Sequence, residues 1–362
     1  MELKKKSHSI RVVVGEDSPF MQKLLVDALS ADPEIEVVGT ASNGREVLRQ
    51  TVDLEPDCVT LDLEMPHMNG LETLRYIMGE WPTPVVIVSA HTAEGAKMTL
   101  KCLEYGAVDF VSKSEGGKSF PAEDLIEKVK AAAGVDPGKI RFAPPEELLE
   151  RESAGRLPAH SECVVLIGAS TGGPQAIMEI LPKLPADLPA GVVIVQHMPP
   201  NFTRYFAERL DCRTKLEVKE ADEGDGISQG KVLVAPGGLQ LFLDENFTQP
   251  VVMLLSRNEN LRSNCPSVDF ALSSFSSVFR EKLIAVILTG MGKDGTAGSR
   301  AVKNMGGTVL CQDEATSLIF GMPGAVINES LADEVIPLEK LASRITEHVM
   351  RVQAKEKVYE DK

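Results

Sequence analysis

The stretch VVLIGASTGGPQAI (residues 164–177) contains an apolar run, a break of small residues around Ser170, and the start of a helical pattern. Small residues on both sides let the chain turn sharply, which would expose the serine hydroxyl at the carboxyl end of a sheet. The same pattern is also typical of phosphate or dinucleotide cradles and of simple tight turns. A dinucleotide site, however, requires Gly-x-Gly-x-x-Gly and an acidic residue after the next strand, whereas GVVIVQ is followed by His197. The stretch therefore predicts a strand, an elbow with a candidate nucleophile, and a helix.

The composition limits the class of protein. A chain of 362 residues is long enough for two domains, each with its own core. Its net charge of -15 argues against binding a nucleic-acid backbone, and no segment approaches the roughly 18 apolar residues of a membrane span. The six cysteines are widely spaced, without a Cys-x-x-Cys pair, as in reduced cytosolic proteins. We expect a soluble, cytoplasmic protein that neither binds nucleic acid nor inserts into a membrane.

The order of apolar runs predicts two α/β domains and a linker. Residues 9–133 alternate five β-branched runs with helical patterns, which is typical of a (βα)5, flavodoxin-like domain with a parallel sheet. Residues 134–160 carry four prolines and little apolar content, and are predicted to be a linker. Residues 161–352 are predicted to form a doubly wound, mostly parallel α/β/α sandwich, because their runs resemble strands buried on both faces. These runs are VVLIGAS, GVVIVQ, KVLVAP, PVVMLLS, LIAVILTG and GTVLCQ.

In the first domain, reactive side chains follow the predicted strands. Glu16 and Asp17 end the first strand, Asp62 the third, Ser89 the fourth and Lys113 the fifth. The carboxyl ends of parallel strands meet at one edge of a sheet, where such folds place their sites. Three carboxylates at one edge repel each other unless a divalent cation lies between them, and an oxygen-rich set suits Mg²⁺. Polar strand ends without a function would explain one or two of these residues, but not all five.

The segment CVTLDLEMPHMNGLETL (residues 58–74) resembles the phosphoacceptor region of response regulator receiver domains, and the resemblance extends over residues 9–133. It implies that Asp62 is phosphorylated. It also implies a role for each neighbouring group: Mg²⁺ ligands Glu16, Asp17, Asp62 and the backbone carbonyl of Glu64, the switch hydroxyl of Ser89, and the phosphoryl-binding ammonium of Lys113.

In the second domain, the candidate partners of Ser170 are few. Only two histidines are present, and His348 lies among charged residues of a terminal helical pattern, so a base must be His197. A right-handed crossover would place the two strand ends side by side. LIAVILTGMGKDGTAG ends in a glycine-rich loop that carries Asp294 and whose N–H groups could face an oxyanion. Separately, His197 could be a packed or capping imidazole and Asp294 a helix N-cap. Together, the three strand ends favour a catalytic triad.

The chain order Ser, His, Asp differs from that of α/β-hydrolases and of subtilisin. The strings GASTGGP, QHMPPNFT, APGG, PSVD, ILTGMGKDG and FGMP resemble, in this order, the chemotaxis protein-glutamate methylesterases of the CheB family. The resemblance implies that Ser170, His197 and Asp294 form the catalytic triad, supported by Thr171 and by the Met291 backbone N–H in the oxyanion hole. Gln240 and Asn264 stand where this family commonly has histidines, and we expect these departures to affect peripheral substrate contacts only.

Together, the two resemblances imply a response regulator whose output is hydrolysis. A CheA-type histidine kinase would phosphorylate Asp62 and so release the esterase site from the receiver domain that covers it. The esterase would then remove methyl esters from glutamates of methyl-accepting chemotaxis receptors, and deamidate specific receptor glutamines, without a cofactor. Two alternatives remain open at this stage: a non-catalytic, receiver-linked signalling adaptor and a nucleotide-binding output domain.

Overall fold

The computed structural model describes residues 9–90, 92–113, 120–142, 161–244, 251–256 and 264–360. The chain divides into two compact units, residues 1–143 and 144–362. The predicted linker begins inside the first unit, because Pro137–Lys139 form a short 3-10 turn and Ile140 packs beside Gly106. The remainder of that linker, residues 143–160, lies outside the described residues.

The first unit alternates five strands with five helices, as predicted. Four of the helices begin after a Ser, Asn or Thr whose side chain accepts a backbone N–H of the first turn, which fixes the position where each helix starts. All strand pairs are parallel, in the order β2-β1-β3-β4-β5. The elements are β1 Ile10–Gly15, α1 Pro19–Ser30, β2 Ile35–Ala41, α2 Gly44–Leu54, β3 Cys58–Asp62, α3 Gly70–Glu80, β4 Val85–Ser89, α4 Ala93–Glu104, β5 Asp109–Ser112 and α5 Ala122–Ala133.

The second unit is built on a seven-stranded parallel sheet in the order β14-β13-β12-β6-β7-β9-β8, with a separate two-stranded ribbon, β10-β11. Its elements are β6 Val164–Ala169, α6 Gly173–Ile180, β7 Gly191–Gln196, α7 Phe202–Asp211, β8 Glu217–Glu220, β9 Lys231–Val234, β10 Leu239–Asp244, β11 Val251–Ser256, α8 Val268–Phe279, β12 Leu283–Ile287, α9 Thr296–Asn304, β13 Thr308–Gln312, α10 Met322–Asn328, β14 Glu334–Ile336 and α11 Leu338–Glu360.

The core of the second unit lies around its three central strands. Every residue of β6, β7 and β12 is buried, which explains their near-continuous Val, Ile and Leu sequences. Helix α8 contributes Val268, Leu272 and Phe275 to this core, at the spacing that places them on one face of a helix. Helix α8 packs with α9 and α6 packs with α11, and both α8 and α11 contact β12.

One predicted strand has a different place. PVVMLLS is not a strand of the parallel sheet, because β11 pairs antiparallel with β10 in the separate ribbon. On β11, Val252 is buried in the core and Leu254 packs against it, whereas Leu255, on the other face, is exposed. The apolar run therefore belongs to a strand with one covered face rather than to one buried on both faces.

Both parallel sheets contain a point where the chain order reverses. In the first unit this point lies between β1 and β3, and in the second between β6 and β12. The crevice outside the carboxyl ends of the strands at such a point is where doubly wound folds bind ligands. Among the described residues, no helix has the length and apolar character needed to cross a membrane.

Candidate functional site

The reversal point of the first sheet brings together an ammonium and two buried carboxylates. Lys113, which follows β5, places its Nζ 2.8 Å from Glu16 Oε2 and 2.9 Å from Asp62 Oδ1. Glu16 is 1% exposed and Asp62 is 4% exposed. Because charges are costly to bury without partners, the ammonium makes this placement of the two carboxylates possible.

Burial and charge act in opposite directions on these groups. Burial raises the pKa of Glu16, and the hydrogen bond from Lys113 only partly offsets that effect. Burial would lower the pKa of Lys113, but the hydrogen bond to Glu16 and the charge of Asp62 outweigh it, so that pKa is raised. Lys113 therefore stays protonated at neutral pH.

Around this ion pair lies an acidic, open cavity. Oxygen atoms of Glu16, Asp17 and Asp62 lie within 4.8 Å of one another, and they are the hard donors that Mg²⁺ prefers. The cavity has a volume of about 570 Å³. Its lining includes every residue predicted for this site, namely Glu16, Asp17, Asp62, Glu64, Ser89 and Lys113.

In the second unit, Ser170 lies at the elbow after β6. Its backbone N–H donates to the Thr289 carbonyl (3.1 Å) beyond the end of β12, which ties the elbow to the neighbouring strand. Gly172 starts α6 with a φ of 76°, a conformation that residues with a side chain rarely adopt. A Cβ at this position would also lie 2.8 Å from Leu318 Cβ. The elbow therefore requires glycine where the sequence has it.

The second strand end, that of β7, is tied to the elbow by a buried glutamine. Gln196 is 2% exposed, and its Nε2 donates to the Ser170 carbonyl (2.9 Å) and to the His197 carbonyl (3.2 Å). The His197 backbone N–H in turn donates to the Ala169 carbonyl. The Ser170 hydroxyl has no hydrogen-bond partner among the residues that the structure describes, and it is therefore available to a substrate.

His197 pairs with Asp294 across the reversal point, with 2.8 Å between Nε2 and Oδ2. The carboxylate of Asp294 lies at the N-terminus of α8. It accepts the backbone N–H of Val268 at Oδ2 (2.9 Å), the backbone N–H of Asp269 at Oδ1 (2.8 Å), and the Ser267 hydroxyl (3.1 Å). The positive end of a helix dipole and its unpaired N–H groups stabilise an anion placed there.

These contacts keep the Asp294 carboxyl group ionised. Burial would raise the pKa of Asp294, but hydrogen bonds and charge from His197, with the N–H groups of α8, lower it below its usual value. Asp294 is therefore an anion at neutral pH, and a carboxylate anion can only accept a hydrogen bond from Nε2–H. Neutral His197 then carries its proton on Nε2, which leaves Nδ1 as the basic nitrogen.

The loop after β12 comes very close to Ser170. A Cβ on Gly290 would lie 2.8 Å from Ser170 Cβ and 2.4 Å from Met322 Sδ, so only glycine permits this approach. The backbone N–H of the next residue, Met291, has no hydrogen-bond partner within the described part of the chain. Thr171 is buried beside the elbow, and its carbonyl accepts the Thr289 hydroxyl (3.0 Å).

The sequence left a helix N-cap open as a role for Asp294. The N-cap residue of α9 is Gly295, whose N–H donates to Asp269 Oδ1 (2.9 Å) and also to Asp294 Oδ1 (3.0 Å), while the Gly298 N–H donates to Asp269 Oδ1 (2.7 Å). His348, on α11, pairs with Glu334 of β14, with 2.9 Å between Nε2 and Oε1.

Sequence reasoning missed the supporting residues Gln196, Ser267 and Asp269. Ser267 and Asp269 belong to PSVD, a string quoted above for its resemblance alone. A serine directly before an apolar helical pattern is an N-cap signal, and it could have indicated that a helix begins there. No comparable signal exists for a buried glutamine.

The first doubly wound unit carries an acidic site, and the second carries Ser, His and Asp at three neighbouring strand ends. This combination defines the class of response regulators with a hydrolase-type output. A family model for the response regulator receiver domain matches residues 12–130, and one for the CheB methylesterase matches residues 165–345. The chain belongs to the CheB family of chemotaxis methylesterases, with a receiver domain at its N-terminal side.

Curated relatives match nearly the whole chain. A protein of Thermotoga maritima is 43% identical over 344 residues, which cover 94% of this chain and 98% of the relative. One of Symbiobacterium thermophilum is 44% identical over 358 residues, covering 94% and 97%. One of Pyrococcus horikoshii is 43% identical over 346 residues, covering 94% of each. All three are named protein-glutamate methylesterase/protein-glutamine glutaminase.

Proposed function

We propose that this protein hydrolyses the methyl esters of glutamate side chains on methyl-accepting chemotaxis receptors, and deamidates specific receptor glutamines, when its receiver domain is phosphorylated. One observation carries the proposal: Ser170, His197 and Asp294 follow three adjacent strands, and the imidazole of His197 is paired with a carboxylate at 2.8 Å. The names of the relatives supply the substrate class.

In the acylation step, the Ser170 hydroxyl oxygen forms a bond to the ester carbonyl carbon and its proton passes to His197 Nδ1. Asp294 stabilises the resulting imidazolium through Nε2. The negative charge on the former carbonyl oxygen is stabilised by backbone N–H groups, among which that of Met291 has no competing partner in the described part of the chain. The C–O bond to the methyl group's oxygen then breaks, and methanol leaves with the proton from His197.

Deacylation repeats the sequence with water as the nucleophile. His197 takes a proton from water, the hydroxide oxygen bonds to the acyl carbon, and the bond to Ser170 breaks, which regenerates the hydroxyl and releases a glutamate carboxylate. A glutamine side chain follows the same route, with ammonia as the first leaving group. Both reactions use only groups of this chain and water.

The receiver unit would control this reaction. In the proposal, a carboxylate oxygen of Asp62 attacks the phosphorus of a phosphohistidine on a CheA-type kinase, the P–N bond breaks, and an aspartyl phosphate forms. Glu16, Asp17 and Asp62, with the Glu64 carbonyl, would hold Mg²⁺, which supplies positive charge to the phosphoryl oxygens. Lys113 would turn from its ion pairs to the phosphoryl group, and Ser89 would sense it.

The proposal places the reaction in the cytoplasm. All six cysteines lie among the described residues and none forms a disulfide bond, as is usual for proteins in a reducing compartment. The non-catalytic adaptor is disfavoured, because the comparisons support an enzyme and because an adaptor would not need a paired His197 and Asp294. The nucleotide-binding alternative is disfavoured, because the sequence around the elbow has neither an acidic residue to bind a ribose nor the lysine of a phosphate-binding loop.

The decisive experiment measures methanol release from methylated receptor by the full chain, with and without a small phosphodonor such as acetyl phosphate. We expect release by the wild type, faster release with the phosphodonor, and a loss of about 10⁴-fold in kcat for Ser170→Ala. An Asp62→Asn variant should keep its basal rate but gain nothing from the phosphodonor. Equal methanol release by the wild type and by Ser170→Ala would disprove the proposed nucleophile.

A further inference from the structure

Gln240, on β10, ties together two backbone groups of the segment that precedes α8. It is 5% exposed, its Nε2 donates to the Asn264 carbonyl (2.7 Å), and its Oε1 accepts the backbone N–H of Ser267 (2.8 Å). A single side-chain amide thus donates to the carbonyl at one end of residues 264–267 and accepts from the N–H at the other end. Both bonds are short and neither amide atom is left over.

Both ends of this segment contact the His–Asp pair. Asn264 Nδ2 lies 3.4 Å from each ring nitrogen of His197. The Ser267 hydroxyl donates to Asp294 Oδ1 (3.1 Å), and the α8 N–H groups that hold the same carboxylate follow directly. Asn264 is therefore the residue that links Gln240 to the base, His197, and Ser267 is the residue that links it to the carboxylate of Asp294.

The ribbon that carries Gln240 has its own attachment to α8. The backbone N–H of Leu243 donates to Ser274 Oγ (3.0 Å), one turn and more beyond the Asp294 contacts. Leu241 and Leu243 are buried in the core on the face opposite Gln240. The ribbon is thus fixed to the core, and the Gln240 side chain connects it by hydrogen bonds to Asn264 and Ser267.

We propose that Gln240 is a positioning residue for the esterase reaction: it fixes residues 264–267 and thereby the separation and orientation of His197 and Asp294. Gln240 touches no reacting atom, so it acts through the two residues that it binds. This inference rests on the function proposed above. It assigns a role to a position where the sequence suggested only a peripheral substrate contact.

The test compares three variants of the full chain by methanol release from methylated receptor in the presence of a phosphodonor. Gln240→Met keeps the length of the side chain but has neither donor nor acceptor, whereas Gln240→His can donate from one ring nitrogen and accept at the other. Ser274→Ala is the matched control, because it removes a hydrogen bond between the same ribbon and the same helix without touching residues 264–267.

We expect Gln240→Met to lose about 10- to 100-fold in kcat with KM within twofold, since misplacement of a catalytic group by about 1 Å has this size of effect. A looser Asp294 contact stabilises the imidazolium less, so the acidic limb of its kcat–pH profile should move to lower pH. Gln240→His should recover most of the kcat, and Ser274→Ala should keep kcat and the profile. An unchanged kcat and profile in Gln240→Met, or equal losses in Gln240→Met and Ser274→Ala, would overturn the proposal.

Asn264→Ala provides a second measurement if Gln240→Met does not fold. The position is exposed, and the substitution leaves the carbonyl that Gln240 binds. We expect a kcat loss of about tenfold with KM within twofold; a kcat equal to that of the wild type would contradict a route through Asn264. Activity of the wild type separates the two proposals, because an inactive wild type refutes the function, while an active one with insensitive variants refutes only the positioning role.

Discussion

Asp294→Asn tests the reasoning about the His–Asp pair most directly. Asp294 Oδ2 accepts from His197 Nε2 and from the Val268 N–H, while Oδ1 accepts from Ser267 and from the N–H groups of Asp269 and Gly295. An asparagine can present only one oxygen to these two groups of donors. If its NH₂ replaces Oδ1, it faces three donors, from Ser267, Asp269 and Gly295; if it replaces Oδ2, it faces the Val268 N–H and the ring of His197.

The second orientation is therefore favoured, because it places the NH₂ against fewer donors and leaves only the Val268 N–H without an acceptor, at a cost of about 1–3 kcal/mol. In that orientation the amide donates to His197 Nε2, which must then be unprotonated, and the ring proton moves to Nδ1. The nitrogen that has to accept the Ser170 proton is then occupied. We expect kcat to fall about 10⁴-fold, equivalent to about 5 kcal/mol, as for other triads with a wrong tautomer. The orphaned Val268 N–H should lower the free energy of unfolding by about 1–3 kcal/mol.

The assay is methanol release with a phosphodonor present, with urea unfolding as the measure of stability. Asp269→Asn is the control: this neighbouring carboxyl accepts the N–H groups of Gly295 and Gly298 through one oxygen, which asparagine retains. Burial and the charge of Asp294 already raise the pKa of Asp269, so loss of its charge should leave kcat within about tenfold of the wild type. A kcat for Asp294→Asn within tenfold of the wild type would refute the tautomer assignment.

Three further outcomes follow from the same structure. Gly290→Ala should lower kcat at least 100-fold and the free energy of unfolding by about 1–3 kcal/mol, because the added Cβ would overlap Met322 and crowd Ser170. A variant with the kcat and stability of the wild type would contradict the close approach of Gly290 to Ser170. A thiol reagent at pH 8 should modify the exposed Cys212 first. Burial raises the pKa of Cys58, Cys102 and Cys311 to about 12, so only about 10⁻⁴ of each thiol is ionised at that pH. Mass spectrometry should therefore find these three cysteines unmodified until the protein unfolds. Hydrogen bonds from Arg344 hold the pKa of Glu334 below its usual value, so its charge stabilises the fold at neutral pH and that contribution is lost as the pH falls through the lowered pKa. Glu334→Gln should therefore lower the urea midpoint at pH 7 and not in strong acid; an equal decrease at both would contradict this sign.

The parallel strands could be predicted because their sequences combine two independent signals. The runs of Val, Ile and Leu in β6, β7 and β12 indicate burial on both faces. Ser170 directly follows β6, His197 directly follows β7, and Asp294 lies in the loop after β12. Adjacent parallel strands end at the same edge, so a strand order was enough to bring Ser170, His197 and Asp294 together. The prediction for β11 was wrong because its apolar run is as continuous as those of the buried strands. Its exposure depends on its pairing with β10, which the run itself does not reveal.

The supporting contacts were out of reach for a different reason. Gln196 and Gln240 act by binding backbone carbonyl and N–H groups, and any loop residue offers the same groups. A sequence pattern specifies which side chain is present but not which backbone atoms face it after folding. The anchoring of Asp294 to α8 has the same origin, since its partners are N–H groups whose identity depends on where a helix begins.

The pairing of β6 with β12 has a consequence for how the protein is made. It joins Val164 to Leu283, more than a hundred residues further along the chain, and the elbow is bonded to Thr289 in the same region. Contacts of this sequence separation form late, because a long loop must close before they contribute any stability. A ribosome-bound chain that already displays Ser170 therefore has neither the loop that crowds it nor the carboxylate that orients its base, and hydrolytic competence arises only after synthesis has passed Asp294.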